Sequence, residues 1–471
     1  MSNGFVDLLQ NMFSTIGRIM SSPAAKFILI GFLLIILTIP LFFVSLTNSE
    51  RKSSAYSALS DISGKWGRGQ TVRGPYLIVP TIKREEIKVN TYEGQEKKVT
   101  TKIKVTKRLA VFLPEELSIK SDVRTEIRKR GIFSVPVYKS TSAVSGRFNK
   151  PDTTKMMREV DELVWDDAVM VFMISDVTAI KQNIVLQVND GAVKIPFKSS
   201  IGHSANNGTY GFHAPISAAL ANNQFNFSLT LHLNGSSNLY FTPVATKTTG
   251  EIKSDWPHPS FQGAFLPDGS NISAKGFDAN WNVPLLATGQ SKSFLTNQVS
   301  AFMGNRTFGL EFFQTSGYYK LIDKSLKYAM GFIAIAFFAV FILEIQSGVR
   351  VHWIQYIFVG LASIIFYLVL LGISEHTGFE LAYGVSSVST SILIATYVGG
   401  AMKSAKRGFG ILLVLTFIYG LLYLLLRMED YAMLIGSISA FTLLAIVMFA
   451  TRNVDWTGSK RVKKDVKEEI V

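Results

Sequence analysis

One stretch of the sequence combines residue types that could do acid–base chemistry. Ser254 to Pro267 reads SDWPHPSFQGAFLP and holds Asp255, His258 and the aromatic residues Trp256 and Phe261. A carboxylate that orients an imidazole is the arrangement by which many hydrolases activate a nucleophile. The stretch is therefore either part of an active site or a stiff piece of scaffold.

Backbone geometry argues against a catalytic pair within this stretch. Trp256 and His258 each precede a proline, which restricts both to extended or polyproline II conformations. In polyproline II, Asp255 and His258 would share an edge but lie about 9 Å apart, at ~3.1 Å per residue. Since a hydrogen bond needs about 3 Å, His258 would need a partner from elsewhere. The favoured interpretation is a rigid connector whose aromatic side chains pack.

The second candidate is SEHTGFE at 374–380, directly after an apolar run. Glu375 and His376 are adjacent, and consecutive helical residues point about 100° apart, so they do not converge. Gly378 is predicted to cap the helix. His376 suits the negative end of the helix dipole and Glu375 does not, which weakly indicates a functional site. A site that brings His258 and Glu375 together is the hydrolase hypothesis.

The remaining motifs favour a binding protein over an enzyme. The chain has no cysteine, which excludes disulfides, zinc thiolate sites, iron–sulfur clusters and thiol nucleophiles. There is no HExxH, Walker A, GxSxG or GxGxxG motif. We therefore assign no catalytic, metal-binding or cofactor-binding residue and expect no cofactor. The small residues of YGVSSVSTSILIATYVGGA (383–401) predict close helix packing, with a polar substrate cavity as the alternative.

Composition indicates membrane helices joined to a sizeable soluble part. Of the 471 residues, 48% are hydrophobic and 17% are charged. The net charge is +14, and most of the excess in the central part of the chain lies before about residue 160. A basic surface favours anionic partners such as lipid headgroups or envelope polymers, although a solvated face is the simpler explanation.

Six apolar runs approach the ~20 residues that cross a bilayer. They are residues 27–46, 326–345, 354–373, 381–402, 409–426 and 431–450. Residues 1–26 form a predicted amphipathic segment, and 451–471 form a basic tail. The first run is longer than the core of a typical signal peptide and is expected to stay as an anchor.

Lysine and arginine are distributed unequally between the short loops. One side carries Arg350, Lys403, Lys406 and Arg407, whereas the two short loops on the other side carry only Arg427 with four acidic residues. Because basic loops stay in the cytoplasm, both termini are predicted to be cytoplasmic. The same rule places 47–325 in the periplasm of a Gram-negative cell, where nucleic acid is not an expected partner.

Residues 47–325 read mostly as β-strands. FNFSLTLHL (225–233) alternates apolar and polar residues, and NGSS is predicted to turn the chain before NLYFTPV. IVLQVNDGAVKIPF (184–197) predicts a hairpin, and 97–114 a long basic strand. The fold class is therefore a membrane protein with six transmembrane helices and a large β-rich, sandwich-like extracytoplasmic domain inserted between helices 1 and 2.

This order of elements and four stretches resemble the CreD family of bacterial inner-membrane proteins. The stretches are SDWPHPSFQGAFLP, KYAMGFIAIAFFAVFILEI, HWIQYIFVGLASIIFYLVLLGISEHTGF and TRNVDW. The resemblance implies a Gram-negative inner membrane and a role in envelope integrity, with a gene driven by a sensor kinase and its response regulator. It also implies a link to envelope stress, colicin tolerance and β-lactam responses, but no catalytic residue. Its signature positions of unknown role are Asp255, Trp256, His258, Phe261, Glu375 and His376.

Three functional hypotheses follow. The leading one is a non-enzymatic membrane factor whose external domain binds envelope components or another membrane protein. The second is a membrane-bound hydrolase or transferase with its site on the periplasmic lip. The third is a lipid or small-molecule transporter that uses the fourth span.

Overall fold

The chain places an N-terminal helix first, then a large β-rich region, then apolar helices. The computed structural model describes residues 23–93, 96–200, 210–297, 306–312, 317–349, 351–428 and 432–452. The predicted amphipathic segment and basic tail therefore lie almost entirely outside the described residues. Contacts divide the chain into a helical unit, Met1–Tyr56 with Thr315–Val471, and a β-rich unit, Ser57–Gln314.

Helices occur at all six predicted apolar runs. In chain order, with two short helices of the β-rich unit included, the helices are α1 (Pro23–Trp66), α2 (Ala218–Ala221), α3 (Leu285–Thr288), α4 (Gly317–Ser347), α5 (Trp353–Thr377), α6 (Phe379–Ala401), α7 (Ala405–Arg427) and α8 (Ala432–Thr451). Among the described residues, α1 and α4 to α7 are long and apolar enough to cross a membrane. The role of α8 as a sixth span stays a prediction.

Two helices continue well beyond the apolar runs that predicted them. Helix α1 extends from the predicted end at residue 46 to Trp66, and α4 starts at Gly317 rather than at 326. The end of an apolar run marks the point beyond which the side chains no longer favour lipid. The helix itself continues until its backbone hydrogen bonds end. Polar residues that the sequence placed in the external domain are therefore helical.

The β-rich unit contains eighteen described strands. They are β1 (Gln70–Glu93), β2 (Glu96–Phe112), β3 (Glu116–Arg130), β4 (Phe133–Phe148), β5 (Glu162–Leu163), β6 (Val169–Ile174), β7 (Val185–Val188), β8 (Val193–Pro196), β9 (Lys198–Ser199), β10 (Gly211–Pro215), β11 (Phe225–Ser236), β12 (Asn238–Phe241), β13 (Lys247–Ser254), β14 (Pro259–Gly263), β15 (Gly269–Ser273), β16 (Gly276–Pro284), β17 (Ser293–Thr296) and β18 (Phe308–Phe312). Short 3-10 turns at Met156–Arg158, Trp165–Asp167 and Val177–Ala179 complete it.

These strands form two mixed sheets. The ten-stranded sheet has the order β14-β18-β12-β1-β6-β10-β9, with β2 and β5 also on β1 and β17 on β2. The eight-stranded sheet has the order β15-β16-β13-β3-β4-β11-β7-β8. Strands β1 and β12 run parallel, as do β3 and β13, and the other described pairs are antiparallel.

The inner faces of the two sheets share one apolar core. Tyr138 of β4 stacks on Phe312 of β18, with ring centroids 4.8 Å apart. Trp281 of β16 lies 5.5 Å from Phe308 of β18. Buried and exposed residues alternate along β16, as the period of two requires when one face of a strand is buried. The unit is a β-sandwich.

Two turn predictions had different outcomes. The predicted hairpin is confirmed: β7 pairs with β8, and Asn189, Asp190 and Gly191 have positive φ in its turn. The turn predicted at NGSS (234–237) is confirmed at its last residue only, because β11 continues through Ser236. Ser237 alone, at φ 65°, directs the chain from the eight-stranded sheet into β12 of the ten-stranded sheet.

The two sheets lie so close together at Gly250 that a larger side chain at this position should destabilise the sandwich. A Cβ at this position of β13 would lie 2.4 Å from the ring of Phe308, which is fully buried. We expect Gly250→Ala to lower the free energy of unfolding by about 1–3 kcal/mol, because the ring has no free space to enter. The measurement is the urea midpoint for proteolysis of the detergent-solubilised chain.

Gly269→Ala is the matched control in the same sheet. Its methyl group would approach only the side-chain oxygen of Asn280, at 2.9 Å, and that side chain can turn away. Equal midpoints for the two variants would contradict the proposed packing of the sheets at Gly250.

Candidate functional site

The proline-rich stretch carries the chain from one sheet to the other. Strand β13 ends at Ser254 in the eight-stranded sheet, and β14 begins at Pro259 in the ten-stranded sheet. Strand β14 pairs with β18 from Pro259↔Phe312 to Gly263↔Phe308. The prolines therefore stiffen a crossing between the layers of the sandwich.

Asp255 and His258 are engaged differently. The Asp255 carboxylate accepts hydrogen bonds from the backbone N–H and the Oγ1 hydroxyl of Thr125, at 2.9 and 2.8 Å. The carbonyl oxygen of His258 accepts the indole N–H of Trp256 at 2.9 Å. The ring of His258 is exposed and forms no hydrogen bond with any other residue that the structure describes. These contacts agree with the expectation that the two residues are not a pair.

The aromatic residues of the stretch pack into the sandwich. Trp256 meets Phe312 edge-on at 6.3 Å, and Phe261 meets Phe277 and Trp281 edge-on at 5.6 and 5.8 Å. These contacts join residues of both sheets, because Phe277 and Trp281 belong to β16. The arrangement is that of a packed seam beside which the imidazole of His258 stays exposed.

Glu375 belongs to a polar cluster in the helical unit. We call this the Glu375 clasp, and its members come from α1, α4 and α5: Asn48, Arg51, Lys52, Tyr319, Asp323, Ser374 and Glu375. The Glu375 side chain is only 7% exposed. Its Oε1 accepts the Tyr319 hydroxyl at 3.1 Å and lies 3.8 Å from Nε of Arg51. His376 is exposed, and Gly378 caps α5 as predicted, with φ 85°.

Asn48 is the most deeply buried member of this clasp. Its side-chain N–H₂ group donates to the carbonyl of Tyr319 at 3.3 Å and to Oδ1 of Asp323 at 2.5 Å. Lys52 pairs with the other oxygen of Asp323 at 3.0 Å. Oδ1 of Asn48 and Oγ of Ser374 are buried and form no hydrogen bond with a described residue. The clasp therefore joins the part of α1 around residues 48–52 to the start of α4.

A second cluster joins the same three helices at their other ends. We call it the Glu344 clasp. Glu344 of α4, 7% exposed, pairs with the ammonium of Lys26 on α1. Its carboxylate also accepts the N–H of Val351 at 3.0 Å and the hydroxyl of Tyr356 on α5 at 2.9 Å. Lys26 also donates to the carbonyl of Val351 at 3.3 Å. Every charged atom in this clasp has a partner.

Sequence reasoning found Glu375 but missed most of its partners. Asn48, Arg51, Tyr319 and Asp323 fell inside the predicted external domain of 47–325. A signal was present: Asn48, Arg51 and Lys52 have the i, i+3, i+4 spacing of one helix face, and Tyr319 and Asp323 have i, i+4 spacing. Because these residues lie outside the apolar runs, hydropathy alone did not assign them to helices.

The contacts of the two clasps join helices within the helical unit. No group of three or more His, Asp or Glu side chains among the described residues has the arrangement of a metal site. Each of the two buried glutamates faces a cation and accepts a hydrogen bond from a tyrosine hydroxyl. His258 lies in the β-rich unit and Glu375 in the helical unit, so their meeting at one site stays a prediction.

The Glu344 clasp generates a stability prediction. Glu344→Gln should lower the free energy of unfolding by about 3 kcal/mol, because Lys26 then remains in a largely buried position without its counter-charge. Glu251→Gln is the control, since Glu251 pairs with Lys253 on the outer face of β13 and such surface pairs contribute about 0–1 kcal/mol. Thermal melting of the purified protein in detergent compares them, and an unchanged melting temperature for Glu344→Gln would contradict the prediction.

Two comparisons of this chain with known proteins identify the same family. The family model described as "Inner membrane protein CreD" matches residues 22–457. The chain is 27% identical over 437 residues to "Inner membrane protein CreD" of Escherichia coli (strain K12), across 93% of this chain and 94% of that protein.

Proposed function

Because the chain belongs to the CreD family of inner membrane proteins, we propose that it is a non-enzymatic envelope factor. Its β-rich unit lies in the periplasm and binds an anionic envelope component. The membrane helices anchor this unit, and the role is envelope integrity under stress. One observation carries the proposal: a long basic hairpin that projects from the sandwich.

The hairpin formed by β1 and β2 leaves the sandwich beyond residue 82. Among the described pairs, β5 pairs with β1 as far as Ile82, and β17 pairs with β2 as far as Leu109. Beyond these points the two strands pair with each other, up to Glu93↔Glu96. We call residues 83–107 the hairpin arm. From Lys83 to Glu93 it extends about 34 Å, at ~3.4 Å per residue.

The side-chain pattern of the hairpin arm favours exposure to water on both faces. Apolar residues of one strand lie opposite charged residues of the other: Ile103 opposite Glu86, and Ile87 opposite Lys102. Neither face is therefore continuously apolar, as a face buried in a core would be. Ile103 is 65% exposed. The arm is a surface for recognition rather than a part of the core.

Positive charge dominates the described side chains of the hairpin arm. Lys83 and Glu85 pair with each other at 2.6 Å, and the hydrogen bond from Lys83 lowers the pKa of the Glu85 carboxyl. Arg84 pairs with Glu162. The lysines without an ion pair to a described residue are Lys88, Lys102, Lys104 and Lys107. They outnumber Glu86, the one remaining carboxylate among the described side chains of the arm, and a polyanion is the complementary partner.

A protein partner is the second candidate for this arm. Val99, Ile103 and Val105 are 53–65% exposed and alternate along β2. Exposed edges with such residues accept an added strand. The two candidates differ in the effect of salt: added salt should weaken the binding of a polyanion but not the binding of a neutral protein.

The binding proposal is tested by charge removal. In the triple variant Lys88→Gln, Lys102→Gln and Lys104→Gln, we expect binding of lipopolysaccharide to the full chain in neutral nanodiscs to weaken about 100-fold at low salt. The reason is that each lysine near an anionic surface contributes roughly 1 kcal/mol. Fluorescently labelled lipopolysaccharide is titrated at several salt concentrations, with neutral dextran as the reference.

The matched control removes the same charge elsewhere on the β-rich unit. Lys150, Lys194 and Lys275 are exposed, and their triple glutamine variant should bind lipopolysaccharide as the parent does. Equal weakening in both triple variants, or none in the arm variant, would refute the arm as the binding surface.

The proposed topology has six spans, with α8 as the last, and both termini in the cytoplasm. It rests on the basic residues Lys403, Lys406 and Arg407 between α6 and α7, together with the acidic residues of the loops on the other side. This arrangement puts residues 47–325 in the periplasm.

A chain without cysteine allows a direct test of that topology. Ser270→Cys in exposed β15 should react with a membrane-impermeant maleimide in intact spheroplasts. Ala405→Cys at the start of α7 should react only after the membrane is permeabilised. The reverse pattern would overturn the orientation, and the cysteine-free parent gives the background.

A further inference from the structure

Helices α6 and α7 pack tightly at one end and separate at the other. Near the α6–α7 loop, a Cβ on Gly399 would lie 3.1 Å from the Cα of Gly408, so the backbones touch. Towards the opposite end, a Cβ on Gly384 of α6 or Gly420 of α7 would meet no atom within 4 Å. The space between the separated helices is a groove of about 330 Å³.

The length of this groove matches the thickness of the hydrocarbon region in one leaflet. Its lining residues on α6 run from Glu380 to Ser391, which corresponds to about 16 Å at 1.5 Å per residue. That length is about half of the ~30 Å hydrocarbon core. Val388 in its wall is 58% exposed, so the groove opens to the outside of the helical unit. The hydroxyl of Tyr383 donates to the carbonyl of Tyr419 at 2.6 Å.

Opposite charges stand at the wide end of the groove. Nη2 of Arg427 lies 2.5 Å from Oε1 of Glu380, and Nε of Arg427 donates to the hydroxyl of Tyr423 at 3.2 Å. Both charged side chains are at least half exposed. A guanidinium has five N–H donors, and a carboxylate has two oxygens, so each group can bind a further partner. The rim therefore offers a donor fork and an acceptor side by side.

A ligand with both charges complements this rim. A larger cavity of about 550 Å³ lies on another side of α6, against α5, and its described lining contains no charged residue. An apolar chain alone would have no reason to prefer the groove at Glu380 and Arg427. A headgroup with a phosphate and a primary ammonium matches both groups, because guanidinium binds phosphate through paired N–H donors.

We propose that the groove between α6 and α7 binds one phospholipid whose headgroup carries a phosphate and a primary ammonium. Arg427 binds the phosphate and Glu380 binds the ammonium. One acyl chain lies along Gly384 and Gly420. This site is separate from the hairpin arm, and its test does not depend on the envelope function.

The test measures lipid binding to the full chain in detergent by native mass spectrometry. Phosphatidylethanolamine should bind about tenfold more tightly than phosphatidylcholine, whose ammonium has no N–H to donate to Glu380, or phosphatidylglycerol, which has no ammonium. Equal affinity for the three lipids would overturn the proposal. Tighter binding of phosphatidylglycerol would overturn it too, since the rim would then be a simple anion site.

Two glycines of one helix provide the matched variants. Gly420→Leu should fill the groove and reduce phosphatidylethanolamine binding about tenfold or more. Gly410→Leu should leave binding unchanged, because Gly410 also faces open space but does not line the groove. Equal effects of both variants would overturn the proposed place of the acyl chain.

The rim is tested separately in case Gly420→Leu does not fold. Glu380→Gln should remove the preference for phosphatidylethanolamine over phosphatidylcholine, because the amide no longer attracts the ammonium. Arg427→Gln should weaken both lipids, because they share the phosphate. Preserved selectivity in Glu380→Gln would refute the role of Glu380.

Discussion

The helical unit depends on keeping two buried carboxylates paired. Glu344 and Glu375 sit on α4 and α5, and each receives a cation from α1, namely Lys26 and Arg51. An unpaired charge in a low-dielectric interior costs several kcal/mol. Lipid tails are as apolar as leucine, so hydrophobicity alone does not hold an apolar helix against its neighbours in a membrane. The two clasps therefore fix the position of α1.

The separation of the clasps matches a bilayer. Along α1, Lys26 and Asn48 are 22 residues apart, about 33 Å at 1.5 Å per residue. The hydrocarbon core is ~30 Å thick, so a bilayer centred between the two clasps would have its edges close to both of them. Between them the contact is steric: a Cβ on Gly360 of α5 would lie 2.3 Å from a methyl group of Leu37. Ion pairs therefore hold α1 at Lys26 and Lys52, and a close steric fit holds the stretch between them.

The sequence predicts elements better than it predicts partners. Apolar runs located the six long helices, and alternation located strands such as β11, because both patterns are local. Which residues meet is not local: Asn48 reaches Asp323 only because α1 and α4 continue beyond their apolar runs and lie side by side. Alternation also cannot say to which sheet a strand belongs, since both sheets bury one face. The change of sheet at Ser237 was missed for that reason.

The small residues of α6 have two different structural effects: some allow close backbone contact, and others leave open space. Their density predicted close packing, and Gly399 against Gly408 fits that prediction. Gly384 is equally small but faces open space, as does Gly420 on α7. Small residues therefore permit backbone contact near the α6–α7 loop. At the opposite end of the same two helices they leave the space of the groove beside Glu380.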